Sequence, residues 1–467
     1  MPAAMWIVHA LGAALAGLSL RLSFVWLFPY YESGDTPVYE AMASNWLAHG
    51  VFGLRVAGRI EPVDIRTPGY PAFLAAVYSL FGPSATTVMI AQTIVDLATC
   101  FLVAAIAWTI APRPWRRRAA LTALWLSALC PFTANYAATI LSETLATFMT
   151  AAVLLLLVGG DARGPGLARL FAAGFVSGVG ALVRPETPLV LVAQWLGTGV
   201  GRGRGGVPAK QERPRTRMRV ASAVMAAGLV LPLAPWTVRN WVEIHRFDPL
   251  ARRYADLPSE YAPDGFYAWT ATWLWRFEDV ERLVWSLDEQ PMHVEDVPGS
   301  AFDSMEERER LRTLFEGYDR TTRMTAEVDA GFAEIARERT ARRPWRTLLT
   351  IPALRALTLW LTPRVDMLPV ADGFLPVAGQ WENDPQGYCL LAGFTLLDVL
   401  YIAVALAGAW AARARPGARL LVAFIAVRTA FLAGFALTPE PRYVVECFPA
   451  VIALGAQLGY LRERRPS

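Results

Sequence analysis

Residues 4–39 read AMWIVHALGAALAGLSLRLSFVWLFPYYESGDTPVY. Up to Phe28 the only charge is Arg21, and a helix needs about 20 mainly apolar residues to cross the hydrocarbon layer of a bilayer. The run therefore reads as a membrane-crossing helix. It lacks a basic stretch ahead of its apolar residues, which argues against a cleaved signal. Immediately beyond it the chain becomes polar at Glu32, Gly34 and Asp35. Outward from this segment the same pattern recurs, with further candidate spans at 85–111, 119–135, 141–158, 170–183, 188–201, 220–238, 388–411, 420–437 and 444–461.

Composition agrees with that reading: the chain has 467 residues, 54% of them hydrophobic, and a mean hydropathy of +0.33. The expected fold class is an all-α integral membrane protein. It has about ten transmembrane helices, interfacial helices in the first external loop and a smaller extracytoplasmic segment. The expected domains are a transmembrane core over 1–240, whose first external loop spans 30–70, and an extracytoplasmic segment over 241–346. An interfacial helix over 347–363 and C-terminal transmembrane helices over 388–467 complete the chain.

Short basic loops stay in the cytoplasm. Arg113 and Arg116 to Arg118, the basic loop from Arg202 to Arg219, then Arg413, Arg415 and Arg419, and the C-terminal Arg462, Arg464 and Arg465 mark that side. Both termini are then cytoplasmic, in a multi-pass protein of the inner or plasma membrane. Residues 30–70, 135–142, 184–186, 241–346 and 438–443 fall on the extracytoplasmic side. This parity requires 345–361 to lie along the membrane. Arg346, Arg355 and Arg364 punctuating Leu, Ile and Trp suit an interfacial amphipathic helix. Residues 71–81 are too short to cross.

Five polar clusters sit at the ends of apolar segments, all on the extracytoplasmic side: Gly34-Asp35, Ser142-Glu143, Arg184-Pro185-Glu186, Arg239-Asn240 and Glu440-Pro441-Arg442-Tyr443. Asp35, just beyond the first span, reads either as a general base for an acceptor hydroxyl or as a solvated loop acid. Arg184 and Arg442 each stand beside a carboxylate, Glu186 and Glu440. With Arg239 they read as an anion site able to hold a phosphate bidentately, or as local ion pairs. Arg21, Asp96 and Arg428 lie inside apolar helices, where charge is costly. They read as lining a polar cavity or as intramembrane ion pairs, and Arg21 also as snorkelling to the interface. Trp269, Trp273, Trp275 and Trp285 read equally as sugar-binding or as interfacial tryptophans. Residues 306–343, rich in charge, read as a surface helix leading into the interfacial one.

Several function classes are excluded. There is no Gly-rich nucleotide loop, no His-Glu-x-x-His and no Gly-x-Ser-x-Gly, which argues against an NTP-driven pump and a zinc protease. Cys100, Cys130, Cys389 and Cys447 have no metal or disulfide spacing. The basic loops are short and flank spans, as orientation requires, so no nucleic-acid partner is expected.

In order along the chain, Gly34-Asp-Thr-Pro-Val-Tyr39, Gly50-Val-Phe-Gly53, Arg66-Thr-Pro-Gly-Tyr-Pro71, Leu141-Ser-Glu-Thr-Leu145, Pro235-Trp-Thr-Val-Arg-Asn240, Arg343-Pro-Trp345 and Pro441-Arg-Tyr443 resemble the polyprenyl-phosphate-dependent membrane glycosyltransferases of the GT-C class. The likeness is to the bacterial branch related to protein O-mannosyltransferases and lipid A aminoarabinose transferases, and it covers most of the chain. It implies an inverting sugar transfer from a polyprenyl-phosphate donor to a hydroxyl of an unidentified glycan, lipid or protein, at the extracytoplasmic face. By the resemblance Asp35 is the catalytic base and Arg442, Arg184 and Arg239 hold the donor phosphate. Glu32, Tyr39, Arg66, Tyr70, Glu143, Glu186 and Tyr443 stand as supporting residues. No cofactor is expected, and the mechanism needs no metal, although Asp35 with Glu32 is a pair that could bind one. The competing readings are a transporter or flippase for a lipid-linked saccharide and a non-catalytic assembly protein.

Overall fold

The computed structural model describes residues 3–28, 34–159, 165–200, 214–251, 261–365, 368–370 and 377–459. Glu32 lies outside them. The described chain is almost entirely helical: α1 (Ala3–Leu27), α2 (Thr36–His49), a hairpin of β1 (Gly53–Val56) and β2 (Arg59–Pro62), α3 (Gly69–Phe81), α4 (Ala85–Ile110), α5 (Arg116–Ala128), α6 (Glu143–Val158), α7 (Leu167–Val183), α8 (Leu189–Val200) and α9 (Pro214–Ile244). After these come α10 (Asp264–Thr270), α11 (Met305–Asp319), α12 (Ala326–Arg342), α13 (Ile351–Leu361), α14 (Pro385–Ala412), α15 (Pro416–Phe435) and α16 (Phe448–Gly455).

Among the described residues five helices are long and apolar enough to cross a membrane: α1, α4, Met218–Ile244 of α9, α14 and α15. The chain is a multi-pass membrane protein, and among the described residues five of the ten expected spans have a helix of full crossing length. Two of the other expected spans are interrupted by proline and turn chemistry. Pro131 has no N–H and forces Cys130 into an extended conformation (φ −76°, ψ 109°), so α5 stops at Ala128 and two short turns carry the chain to Ala138. The last expected span likewise opens as the 3-10 segment Pro441–Cys447 before α16 begins.

Between the first two long helices lie two shorter ones, α2 and α3, together with a hairpin that the sequence reading did not foresee. Its two-residue turn places Ala57 at φ 48° and Gly58 at φ 85°, the left-handed pair that matches hairpin twist. The packing of α7 on α9 depends on glycine. A Cβ at Gly174 would stand 2.2 Å from the Met225 carbonyl, and one at Gly178 would stand 2.4 Å from that of Leu229. This is small-residue packing of the GxxxG kind.

The intramembrane charges are paired. Arg21, fully buried, donates from Nε to Asp96 Oδ2 at 2.7 Å and from its two amino groups to the Gly17, Ala128 and Ser127 carbonyls. One guanidinium thereby ties α1 to α4 and satisfies the C-terminal carbonyls of α5. Arg428 of α15 donates to Glu446 at 2.5 Å, and Arg364 pairs with the buried Asp398 of α14.

The segment after α9 has its own core, built on Phe266, Trp269, Trp273, Phe315 and Phe332. Helix α9 runs on to Ile244 ahead of it. The single surface helix expected over 306–343 is two helices. Thr322 turns the chain at φ 50°, and the Thr325 hydroxyl caps α12 by accepting from the Val328 amide. Arg339 of α12 is buried against Glu307 of α11. Helix α13 continues directly from a π-turn over Arg346–Thr350, and this run is not among the helices long and apolar enough to cross a membrane. Its Arg355 points inward, to the Leu274 and Ala436 carbonyls.

Candidate active site

Four separate stretches converge on one cavity of about 570 Å³: the start of α2, the 65–67 turn before α3, the facing ends of α6 and α7, and the turn from Thr438 to Tyr443. Local sequence explains the convergence. Gly69 starts α3 against the end of α7, where a Cβ would lie 2.5 Å from the Leu182 carbonyl. The Thr67 hydroxyl donates to the Val183 carbonyl at 3.4 Å. Arg66 and Arg184 are thus set on the same wall. The Thr36 hydroxyl donates to Ile140 O at 3.2 Å, which holds the start of α2 beside Glu143.

Asp35 lies at the centre of the polar wall with its carboxylate 23% exposed. Arg66 Nη2 donates to Oδ1 at 2.6 Å, and Arg442 Nη2 donates to Oδ2 at 3.3 Å. Burial alone would raise the pKa of Asp35, but the Coulomb fields of Arg442 and Arg66, the Arg66 hydrogen bond and the field of Arg184 outweigh it. They hold the group at about 2, below its ordinary 3.8.

Arg442 also donates from Nε to Glu440 Oε2 at 2.6 Å, and Glu440 Oε1 accepts from the Tyr443 hydroxyl at 2.8 Å and from Thr438 at 2.9 Å. Burial and the Glu440 charge push the Tyr443 phenol well up, so it remains a donor. Arg184, at the C-terminal end of α7 where a cation suits the helix dipole, donates to Glu143 at 2.6 Å and lies over the Tyr443 ring at 5.1 Å. Glu143 occupies the first turn of α6, where that dipole favours an anion. Its Oε2 is buried with no hydrogen-bond partner among the described residues. Glu186 lies 3.9 Å from Arg184. The lining thus carries Arg66, Arg184 and Arg442 against Asp35, Glu143, Glu186 and Glu440.

The rest of the lining includes an apolar group. Phe431, Leu432 and Phe435 at the end of α15 continue into Leu437, and Val284 and Trp285 close it from the extramembrane segment. Trp285 is the one expected tryptophan that reaches the cavity. Trp269 and Trp273 are core residues of their own subdomain, and Trp275 carries Arg276 on its ring.

Of the residues singled out in sequence, Asp35, Tyr39, Arg66, Glu143, Arg184, Glu186, Arg442 and Tyr443 line this cavity. Tyr70 stands behind it, edge-on to Tyr39 at 5.0 Å, its hydroxyl bonded to Gln92. Arg239 does not line it. That guanidinium donates to the Val63 and Phe52 carbonyls at 2.9 and 2.6 Å, pairs with Glu243 at 2.7 Å, and lies over Phe52 and Trp236, so it fastens the hairpin region to α9. Glu446, the ion-pair partner of Arg428, was missed as a support. Glu446 lies 3.5 Å from Arg184, and Arg428 donates to the Tyr443 carbonyl at 3.0 Å. Its signal is the spacing Tyr443, Glu446 on one face of a 3-10 turn.

No family model matches the chain, and no curated protein matches it. It is similar to solved structures of the Archaeoglobus fulgidus oligosaccharyltransferase tethered with an acceptor peptide containing the NVT sequon (14% identity, TM-score 0.48, 96% of this chain and 49% of that one). It is also similar to ArnT from Cupriavidus metallidurans, apo (17%, TM-score 0.36, 98% and 77%) and bound to undecaprenyl phosphate (16%, TM-score 0.37, 99% and 79%). The chain spans about half the length of the oligosaccharyltransferase it matches. At TM-scores below 0.5 these similarities assign no role to any residue.

Proposed function

We propose that the protein is a membrane glycosyltransferase that moves a sugar from a polyprenyl-phosphate donor to an acceptor hydroxyl, with inversion, at the extracytoplasmic face. The observation that carries this reading is the mixed lining of the cavity: a carboxylate between two guanidiniums, and the apolar end of a membrane helix. A reagent that is both anionic and lipidic matches both. The resemblance of the loop motifs supports the same class.

In this mechanism the polyprenyl chain lies along Phe431 and Phe435, and the donor phosphate draws Arg442 and Arg184 to it. The acceptor oxygen attacks the anomeric carbon while the bond from that carbon to the phosphate oxygen breaks. Asp35 takes the hydroxyl proton, and the lipid phosphate leaves carrying its negative charge. A leaving group already anionic needs electrostatic stabilisation rather than a second acid, and arginines fixed by Glu440 and Glu143 are preorganised to give it. Arg66 replaces Arg239 in the charged set, because it is Arg66 that lines the cavity. Glu143 Oε2 supplies an acceptor for a sugar hydroxyl.

A transporter needs polar groups in a cavity at mid-membrane depth. Arg21 and Asp96 bond to each other and to backbone carbonyls, and Arg428 bonds to Glu446, which favours the transferase reading over the transporter. The test is transfer of labelled sugar from polyprenyl phosphate into membrane, glycan and protein fractions by protein in lipid, against Asp35→Asn. Donor binding without transfer in the wild type would return the transporter and scaffold readings.

A further inference from the structure

The extramembrane segment brings Tyr267, Val284 and Trp285 to the candidate cavity. Trp285 is 46% exposed, whereas Trp269 and Trp273 of the same segment are fully buried. It forgoes the burial that a side chain of its size ordinarily gains, yet the chain fixes it in place. Val280, Leu283 and Val284 seat the preceding turn in the subdomain core. The Trp285 amide donates to the Val280 carbonyl at 3.1 Å and closes the π-turn Val280–Val284, a rare geometry found frequently at functional sites. Beyond the indole, Asp288 reverses the chain at φ 63°. Its carboxylate accepts from the Met324 amide at 2.8 Å, and its own amide donates to the Tyr318 hydroxyl at 2.7 Å. Phe277 packs against the indole at an interplanar angle of 84°, with ring centroids 5.5 Å apart.

Three kinds of occupant could meet a rigid aromatic ring in a cavity that also carries charge. A lipid tail finds its surface on Phe431, Phe435 and Leu437 at the end of α15. Trp285 is instead followed and preceded in the chain by Arg282, Asp288 and Glu289, all exposed, so it is set among charges rather than in an apolar track. An extended peptide needs an open strand edge to pair with, and the lining contains no residue of the β1–β2 hairpin. A saccharide ring matches what is there. Its C–H face is apolar and flat enough for an indole, while its rim of hydroxyls suits a few placed polar groups. Asp35 and the buried, unpartnered Glu143 Oε2 are such groups in the same lining.

We infer that the acceptor is a saccharide and that Trp285 is its platform, a pyranose ring lying with its C–H face on the indole and one hydroxyl turned to the charged lining at Asp35. The inference rests on the transferase reading and names the acceptor class that reading leaves open. The hydroxyl oxygen bonds the anomeric carbon of the donor sugar, its proton passes to Asp35, and the lipid phosphate leaves. Trp285 sets acceptor affinity and takes no part in donor binding or proton transfer.

The test pairs binding with transfer, using the full-length protein in nanodiscs. Binding is read by saturation-transfer-difference NMR with the methyl pyranosides of glucose, mannose and galactose as probes. Wild type and Asp35→Asn are both expected to pass saturation to the C–H protons of one ring face. Trp285→Ala should lose that signal and Trp285→Phe should keep it. With the pyranoside that binds as acceptor, Trp285→Ala is expected to raise KM roughly tenfold, the upper end for one aromatic contact, with donor KM and thermal unfolding unchanged. Equal signals from wild type and Trp285→Ala, or no signal from any probe, would overturn the inference. So would labelled sugar recovered only on protein or on a lipid that carries no saccharide. Failure of the transferase reading looks different: no transfer by wild type while the Trp285-dependent signal persists, which would keep the saccharide platform and remove its role as acceptor site.

Discussion

Arg442 Nη2 lies 3.3 Å from Asp35 Oδ2, although 407 positions separate the two residues in the chain. The same guanidinium holds Glu440 through Nε at 2.6 Å. The proposed base and the proposed phosphate ligand therefore touch before any substrate arrives, and a donor phosphate competes with Asp35 for Arg442.

Asp35→Asn is expected to abolish transfer, by about 10²–10⁴-fold, the contribution of a positioned general base. The amide keeps the shape and can still accept from Arg66, so the protein should fold. Sugar transfer and thermal unfolding measured on the same preparation check this, and retained activity would remove Asp35 as the base.

Arg442→Ala and Arg184→Ala are each expected to weaken donor binding by about 10–100-fold, as loss of a charge-assisted hydrogen bond does. Acceptor affinity should change less. Titration of donor and acceptor separately distinguishes the two, and unchanged donor affinity would count against the phosphate role.

The pH dependence follows from the lowered pKa of Asp35. Because the folded value, about 2, lies below the ordinary 3.8, the ion pairs contribute stability above the ordinary value and lose it as pH falls toward 2. Free enzyme should show no acid limb from Asp35 in kcat/KM for donor near neutrality. Removing one guanidinium in Arg66→Ala raises the pKa, so the limb should move to higher pH. An unmoved limb would mean that another group titrates.

Asp96→Ala leaves the buried Arg21 charge uncompensated and is expected to cost about 3–5 kcal/mol. The folded fraction should keep its specific transfer rate. Loss of activity with unchanged thermal stability would restore the polar-cavity reading of this pair.

Arg239→Ala removes the clamp on the Phe52 and Val63 carbonyls, not a cavity residue. A stability loss of about 1–3 kcal/mol is expected, with donor affinity held near that of the wild type. A donor-binding defect as large as that of Arg442→Ala would place Arg239 in the phosphate site after all.

Apolar run lengths made the membrane class legible in the sequence, and helix-end polarity made most of the charged lining of the candidate cavity legible. Asp35, Arg184 and Arg442 were conspicuous because acids and arginines stand at helix ends on the side away from the short basic loops. The length of each helix was less legible. An apolar run records hydrophobicity, whereas Pro131 and the 3-10 turn at Pro441–Cys447 decide where hydrogen-bonded helix stops.

Partner choice belonged to the tertiary structure alone. In sequence Arg239 and Arg66 are both arginines near helix or loop ends, but three-dimensional proximity sends Arg239 to the hairpin carbonyls and Arg66 to Asp35. Arg21 and Asp96, 75 positions apart, likewise become a structural knot through the packing of α1 on α4. The sequence by itself determined that charges would lie in and beside a bilayer, because hydropathy is a property of each segment. Which charge neutralises which was decided by packing, because Coulomb energy and hydrogen bonding depend on distances that no single segment contains.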